Sequence, residues 1–241
     1  MKFQTLLATT AVFAGTAVAI QAGDITGKIT FKGAAPAEPG LAQKTAALKG
    51  DANCSKLSDA PKNRVFMVGA GGELGQVVVR LTGANIPAGA AKRTDDFVLD
   101  QKGCEYLPYI SAVQAGQKFK VRNSDDALHN VHAVPKVAGN KETNKAQLAK
   151  GPDLDYTYDN PEDFLTFKCD VHPWMLAYVT VVSHPFFDVS AADGSFTIKN
   201  VPDGTYEVEA MHRRAGKQVK KVEVKGGKGS ISFELEAPAA K

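Results

Sequence analysis

The chain is short of the groups that usually announce an enzyme, a nucleic-acid binder or a membrane protein. Its 241 residues hold 29 basic and 26 acidic side chains, for a formal net charge of +3. So small an excess gives no broad electropositive surface, and no nucleic-acid partner is expected. Beyond the N-terminus no apolar stretch approaches the roughly 20 residues that a helical membrane span needs. No Gly-rich phosphate loop, His-Glu-x-x-His pair or nucleophile elbow is present, so the expectation is a protein that is not an enzyme. Cysteine is scarce too, at three residues, and in an oxidising compartment an odd number leaves one thiol unpaired.

What is present begins with a leader. Residues 1–22 carry Lys2, an apolar run from Leu6 to Ile20 and small residues at Ala17, Ala19 and Ala22, the pattern of a cleaved secretory signal. The first cysteine is Cys54, so no lipid anchor is expected at the cleavage site. The chain reads as periplasmic or secreted. A composition of 44% hydrophobic and 23% charged residues, with 22 glycines and 12 prolines, suits a globular protein built from many short strands.

The stretch Phe164 to Val182 organises the rest. Leu165, Phe167 and Cys169 alternate with Thr166 and Lys168, and Ala177, Val179 and Val181 repeat the period after a short turn, so two half-buried strands flank that turn. The turn carries Cys169, His172 and Met175 at the spacing Cys-x2-His-x2-Met. A thiolate, an imidazole and a thioether form a soft donor set suited to copper, whereas zinc makes little use of methionine. One further imidazole is needed, and the stretch Val121 to His132 holds His129 and His132. Three residues along a strand reverses the face, so only one of them can point into the site.

His129-Asn130-Val131-His132 followed by a distant Cys169-x2-His172-Pro173-Trp174-Met175 resembles the cupredoxins, the blue-copper electron carriers, and within them the amicyanin and plastocyanin branches. The resemblance covers about residues 96–183. It implies one mononuclear copper ion held by His129, Cys169 and His172, with Met175 as a long axial ligand. It favours His129 over His132, because Asn130 matches the family's His-Asn pair, whose amide ties down the cysteine loop. With Cys169 on copper, Cys54 and Cys104 are left to form a disulfide. By the same resemblance the His172 ring edge faces solvent, framed by Pro173 and Trp174, as the electron outlet. Pro173 lacks an N–H and cannot donate to the thiolate. The bland alternative packs Trp174 against the regulatory-like sandwich expected on either side.

On either side lie segments of another character. Ile25, Ile29 and Phe31 alternate with Thr26, Lys28 and Thr30; residues 33–63 form an Ala-, Pro- and Lys-rich excursion with a helical hint from Ala42 to Leu57; and Gln76 to Thr82 returns to strand. Within the central portion Phe97 to Leu99, Tyr109 to Val113 and Lys118 to Asn123 read as strands, and Lys136 to Asp159 as a loop with one helical turn near Ala146. Beyond Val182, Asp193-Gly194-Ser195-Phe196 and Val201-Pro202-Asp203-Gly204-Thr205-Tyr206 resemble the carboxypeptidase regulatory-like domain, a small Ig-like β-sandwich. Its opening strand is similar to Gly23 to Phe31. The expected fold is therefore all-β: a cupredoxin Greek-key sandwich over residues 93–183, inserted in or packed beside a small sandwich made from 23–92 and 184–241. The rival arrangement is an N-terminal extension and an independent C-terminal module.

The basic run from His212 to Lys228 reads as a solvated strand face, or as a docking patch for an acidic partner. The leading function is transfer of single electrons between periplasmic redox proteins, such as a c-type cytochrome or a quinoprotein dehydrogenase. The alternatives are copper delivery or storage, attachment through the sandwich, and a copper enzyme. The last would need a second metal, for which only His132, His184 and His212 remain.

Overall fold

A computed structural model describes residues 22–58 and 64–238. Apart from Ala22, the expected leader lies outside the described residues. In chain order the elements are β1 (Ala22–Lys32), α1 (Leu41–Gly50), α2 (Cys54–Leu57), β2 (Val78–Thr82), β3 (Val98–Gln101), β4 (Tyr106–Leu107), β5 (Ile110–Gln114), β6 (Phe119–Asn123), β7 (His129–Val134), β8 (Thr143–Gln147), β9 (Leu154–Tyr156), β10 (Glu162–Lys168), β11 (Leu176–Val182), β12 (Phe187–Val189), β13 (Ser195–Pro202), β14 (Gly204–His212), β15 (Gly216–Val224), β16 (Lys228–Ser230) and β17 (Phe233–Glu236). The architecture is all-β apart from the two short helices.

The ends of the chain build one sandwich together. One sheet runs β12-β2-β14-β15; the other runs β13-β1-β16, with β17 also on β1. Ile25 sits opposite Ile198 in the antiparallel β1–β13 ladder, and Phe31 opposite Leu235 in the parallel β1–β17 ladder. The period-2 pattern explains the pairing: Ile25, Ile29, Ile198, Phe233 and Leu235 all turn inward to one buried cluster with Leu74, Val79 and Val208. Gly27 is required where the strands crowd, since a Cβ there would run into the Ile231 carbonyl. Tyr206 closes a corner by donating its hydroxyl to the Pro202 carbonyl at 2.9 Å.

The middle of the chain builds a second sandwich, with sheets β5-β11-β10-β7-β8 and β4-β3-β6-β9. Leu165, Phe167, Val179 and Val181 face Leu99, Phe119 and Val121 across its core. The stretch from Lys136 to Asp159, read from sequence as a loop with a helical turn, contains β8 and β9 instead. β8 pairs from His129↔Gln147 to Ala133↔Thr143, and its three middle residues are exposed. An edge strand paired through its backbone needs no apolar alternation, so its polar composition hid it.

Two features join these parts. Residues 33–58 leave the first sandwich as a helical strap and bury Leu48 and Cys54 in the core of the second. Between the sandwiches Val78, Tyr109, Ile110 and Met211 form a small apolar interface. Arg80, paired at 2.7 Å with Glu209 of its own sheet, reaches across it to Asp163 at 2.6 Å. From the basic run, Arg213 lies over the Tyr178 ring at 4.2 Å and donates to the Tyr109 hydroxyl at 3.0 Å. That half-buried arginine links the two sandwiches, whereas most of β15 is exposed.

Candidate metal centre

Three sequence segments converge at one end of the second sandwich. β7 brings His129, the end of β10 brings Cys169, and the tight turn before β11 brings His172. The turn is closed by the Met175 N–H on the His172 carbonyl (2.8 Å) and the Cys169 N–H on the Met175 carbonyl (3.2 Å). His129 Nδ1 and His172 Nδ1 are 3.0 Å apart, and Cys169 Sγ is 3.6 Å from His172 Nδ1. Ligand atoms of the three residues lie within 4.8 Å of one another. Met175 is fully buried in the same core cluster as Cys169.

Asn130 ties the cysteine loop to β7. Its Oδ1 accepts from the N–H groups of Asp170 (2.7 Å) and Val171 (3.3 Å), and its own N–H donates to Cys169 Sγ at 3.5 Å. Burial alone would push the Cys169 thiol up. Hydrogen bonds from His129, His172 and the Asn130 N–H outweigh it and bring the thiol down to about 6, which favours the thiolate that a soft metal binds. His129 is likewise opposed by burial, yet its bonds to Asp125 and Cys169 raise it above the ordinary imidazole value. Two imidazole nitrogens and a thiolate, with a buried thioether two residues beyond the Pro173 that follows His172 and no carboxylate among the inward-facing donors, fit copper better than a hard cation.

His132 faces the other way. Its Nδ1 meets Asp170 at 2.7 Å and its Nε2 meets Glu142 at 2.8 Å, as the reversal of face over three strand residues requires. His184 Nε2 lies 3.1 Å from the Leu81 carbonyl, and His212 Nδ1 accepts from the Ala215 N–H at 2.9 Å. None of the three belongs to a metal-competent group among the described residues. Cys54 and Cys104 form a disulfide, with Cα atoms 5.6 Å apart, and Cys169 is the free thiol.

The exposed outlet expected at Trp174 needs correction. Trp174 is 5% exposed and His172 is 3% exposed. The indole donates to the Cys104 carbonyl at 3.1 Å, its ring centre is 5.2 Å from that of His172, and its own carbonyl accepts from Arg64. Pro173 is exposed. The segments that cover these rings lie far upstream, where no motif marks them. Sequence reasoning also passed over Asp51, whose carboxylate lies 3.5 Å from His172 Nε2, and Asp125, 2.9 Å from His129 Nε2. Asp125 ends an Asn123-Ser124-Asp125 run four residues before His129, and no ligand spacing marks it.

No protein-family model and no curated protein matches this chain. Among solved structures, it is similar over part of its length to a Cu(I) form of a mutant amicyanin, at 22% identity and TM-score 0.33, covering 43% of this chain and 97% of the other. It is also similar to a purple cupredoxin from Nitrosopumilus maritimus, at 19% identity and TM-score 0.29, covering 36% of this chain and 97% of the other. A third likeness is to the copper-containing nitrite reductase of Thermus scotoductus SA-01, at 19% identity and TM-score 0.33, covering 40% of this chain. This chain spans 24% of the nitrite reductase's length.

Proposed function

We propose that this chain binds one copper ion, which His129 Nδ1, His172 Nδ1 and Cys169 Sγ would hold with the Met175 thioether as a weak fourth donor, and carries single electrons between periplasmic redox proteins. The observation that carries the reading is the convergence of the two Nδ1 atoms, 3.0 Å apart, on a buried thiol already drawn toward its thiolate. Copper, when bound, supplies a one-electron couple. The chain supplies rigidity: His129 is held in the ladders of β7, Cys169 by the Asn130 N–H, and the turn by its own backbone bonds. Groups that do not move between oxidation states keep the reorganisation small, and near-complete burial of all three donors keeps water out.

Partners of the c-type cytochrome or quinoprotein dehydrogenase kind fit a carrier exported by the leader at residues 1–22. Among the described residues no helix is long and apolar enough to cross a membrane. The large apolar side chains exposed next to ligands are Leu128 and Val171, and we assign docking to that end. As a domain division we propose one discontinuous sandwich from residues 23–92 and 184–241 around a metal-bearing unit of 93–183, with the strap packed on the latter. Support comes from the pairing of β1 with β13 and of β2 with β14.

Reconstitution of the mature protein with copper tests the function. One equivalent should bind and produce an intense thiolate-to-copper charge-transfer band that bleaches on reduction and returns on oxidation by a c-type cytochrome. A colourless copper complex, released readily to a chelator, would replace electron transfer by delivery or storage.

A further inference from the structure

Each candidate imidazole ligand turns Nδ1 inward and Nε2 outward, and each Nε2 meets a carboxylate: Asp125 Oδ2 at 2.9 Å from His129, and Asp51 Oδ2 at 3.5 Å from His172. The two carboxylates are held in the same manner. Asp125 accepts from the N–H groups of Gly103 (2.7 Å) and Cys104 (2.8 Å). Asp51 accepts from those of Asn53 (2.9 Å) and Cys54 (2.7 Å). Cys104 and Cys54 are the two halves of the disulfide. The groups therefore close a ring around the outside of the site: His129, Asp125, Cys104, Cys54, Asp51, His172. Nothing in the sheets of the second sandwich supplies Asp51. It comes from the strap, between the buried anchors Leu48 and Cys54.

We propose that Asp51 and Asp125 are paired positioning residues for the two imidazoles, and that the Cys54–Cys104 disulfide holds the two carboxylates at a fixed separation. This rests on the copper reading. An imidazole whose outer nitrogen donates to a carboxylate is fixed in tautomer and ring orientation and made a stronger donor. The stronger donation favours the more highly charged metal, so the carboxylates would lower the reduction potential, and the fixed orientation would oppose loss of either ring when the metal is reduced. With the strap in place His172 has no solvent-facing edge through which to swing out. The disulfide's role is then spatial: it joins the strap to the loop before β4, so that Asp51 stays where His172 needs it.

The test uses the copper-loaded full chain in four forms: unaltered, Asp51→Asn, Asp51→Ala, and the double variant Cys54→Ser with Cys104→Ser, which keeps Asp51 but frees its support. Circular dichroism establishes that each is folded. Three quantities are read: the reduction potential, the rate of copper transfer to a Cu(I) chelator, and hydrogen exchange of the imidazole N–H groups by NMR in the diamagnetic Cu(I) state. Asp51→Asn should release copper roughly 10- to 100-fold faster, the usual penalty for losing such a partner, and shift the potential upward. In Asp51→Ala the His172 Nε2–H should exchange quickly while that of His129 stays protected. The double cysteine variant should reproduce the faster release. A purely structural Asp51 would lower thermal stability and leave potential and ring exchange unchanged, which overturns the proposal. Cysteine variants with unaltered release overturn the disulfide's part in it. If the unaltered chain binds no copper, this proposal and the function above fail together; if it binds copper and all variants match it, only this one fails.

Discussion

Asn130 Oδ1 accepts the Asp170 N–H at 2.7 Å, a single bond that fastens the residue after His129 to the residue after Cys169. Because Val171 N–H shares the same oxygen, Asn130→Ala leaves two loop donors without their acceptor. The expected loss is about 1 kcal/mol for each part-buried hydrogen bond removed, measured by urea unfolding of the metal-free protein. A shift of the charge-transfer band should accompany it as Cys169 loosens. A variant as stable as the unaltered chain would show that the loop holds itself.

The ligand assignment separates two histidines. His129→Ala should abolish the charge-transfer band, and His132→Ala should preserve it, because His132 is engaged by Asp170 and Glu142 on the other face. Cys169→Ser should remove the band, while Met175→Leu should keep it and raise the potential by deleting an axial donor. Absorption spectra and voltammetry of the four variants decide; a band lost only with His132 would reverse the assignment.

Trp174→Ala tests burial against exposure. The indole is packed on His172 and bonded to the Cys104 carbonyl, so its removal should cost about 3–5 kcal/mol, as for other large aromatic deletions from a core. An exposed docking residue would instead change cytochrome kinetics and leave the unfolding midpoint in place.

His212 gives the first sandwich a pH dependence. Burial lowers this imidazole from 6.5 to about 4, and its Nδ1 accepts from the Ala215 N–H only while that nitrogen is unprotonated. Between those two values the unfolded chain binds a proton that the folded chain refuses. Stability contributed by the neutral ring is therefore complete above pH 6.5 and declines as the pH falls toward 4, by about 3 kcal/mol in all. His129 and His132, both raised, act in the opposite sense, so the comparison must be with His212→Gln. Urea unfolding of both metal-free proteins at pH 7 and pH 4.5 should show a smaller loss in the variant. Parallel losses would remove His212 from the account.

A fragment of residues 184–241 should not fold cooperatively. β13 lacks its partner β1, and β14 lacks β2, which pairs with it from Glu207↔Thr82 to Met211↔Val78. A sharp calorimetric transition from the fragment alone would restore the picture of an independent C-terminal module.

What could be read in advance was whatever follows from short-range periodicity. The inward sets Leu165, Phe167, Cys169 and Ile231, Phe233, Leu235 alternate in the sequence and are buried in the structure, because a pleated strand offers no other way to hide them. The Cys-x2-His-x2-Met turn is equally local. β8 left no trace, since Asn144, Lys145 and Ala146 are exposed on both faces and only backbone pairing makes them a strand. Asp51 was invisible for a different reason. A lone aspartate in an Ala- and Lys-rich excursion has no periodic signature, and its meaning comes from a contact with His172 far along the chain. The same distance misled the reading of Trp174: its own neighbours Pro173 and Val171 are exposed, and what covers it arrives from Arg64 and Cys104.

The pairing of β1 with β17 places most of the described residues between the two strands of one ladder. Thr30 bonds the Phe233 carbonyl across a separation of 203 residues, and β1 draws all of its ladders from β13, β16 and β17. β1 therefore waits for β17, while every ladder of the second sandwich lies between them in sequence. Closures of that length are the slow ones. Any chain cut short before Lys228 keeps Ile25, Ile29 and Phe31 on an open edge, a template for pairing with another copy.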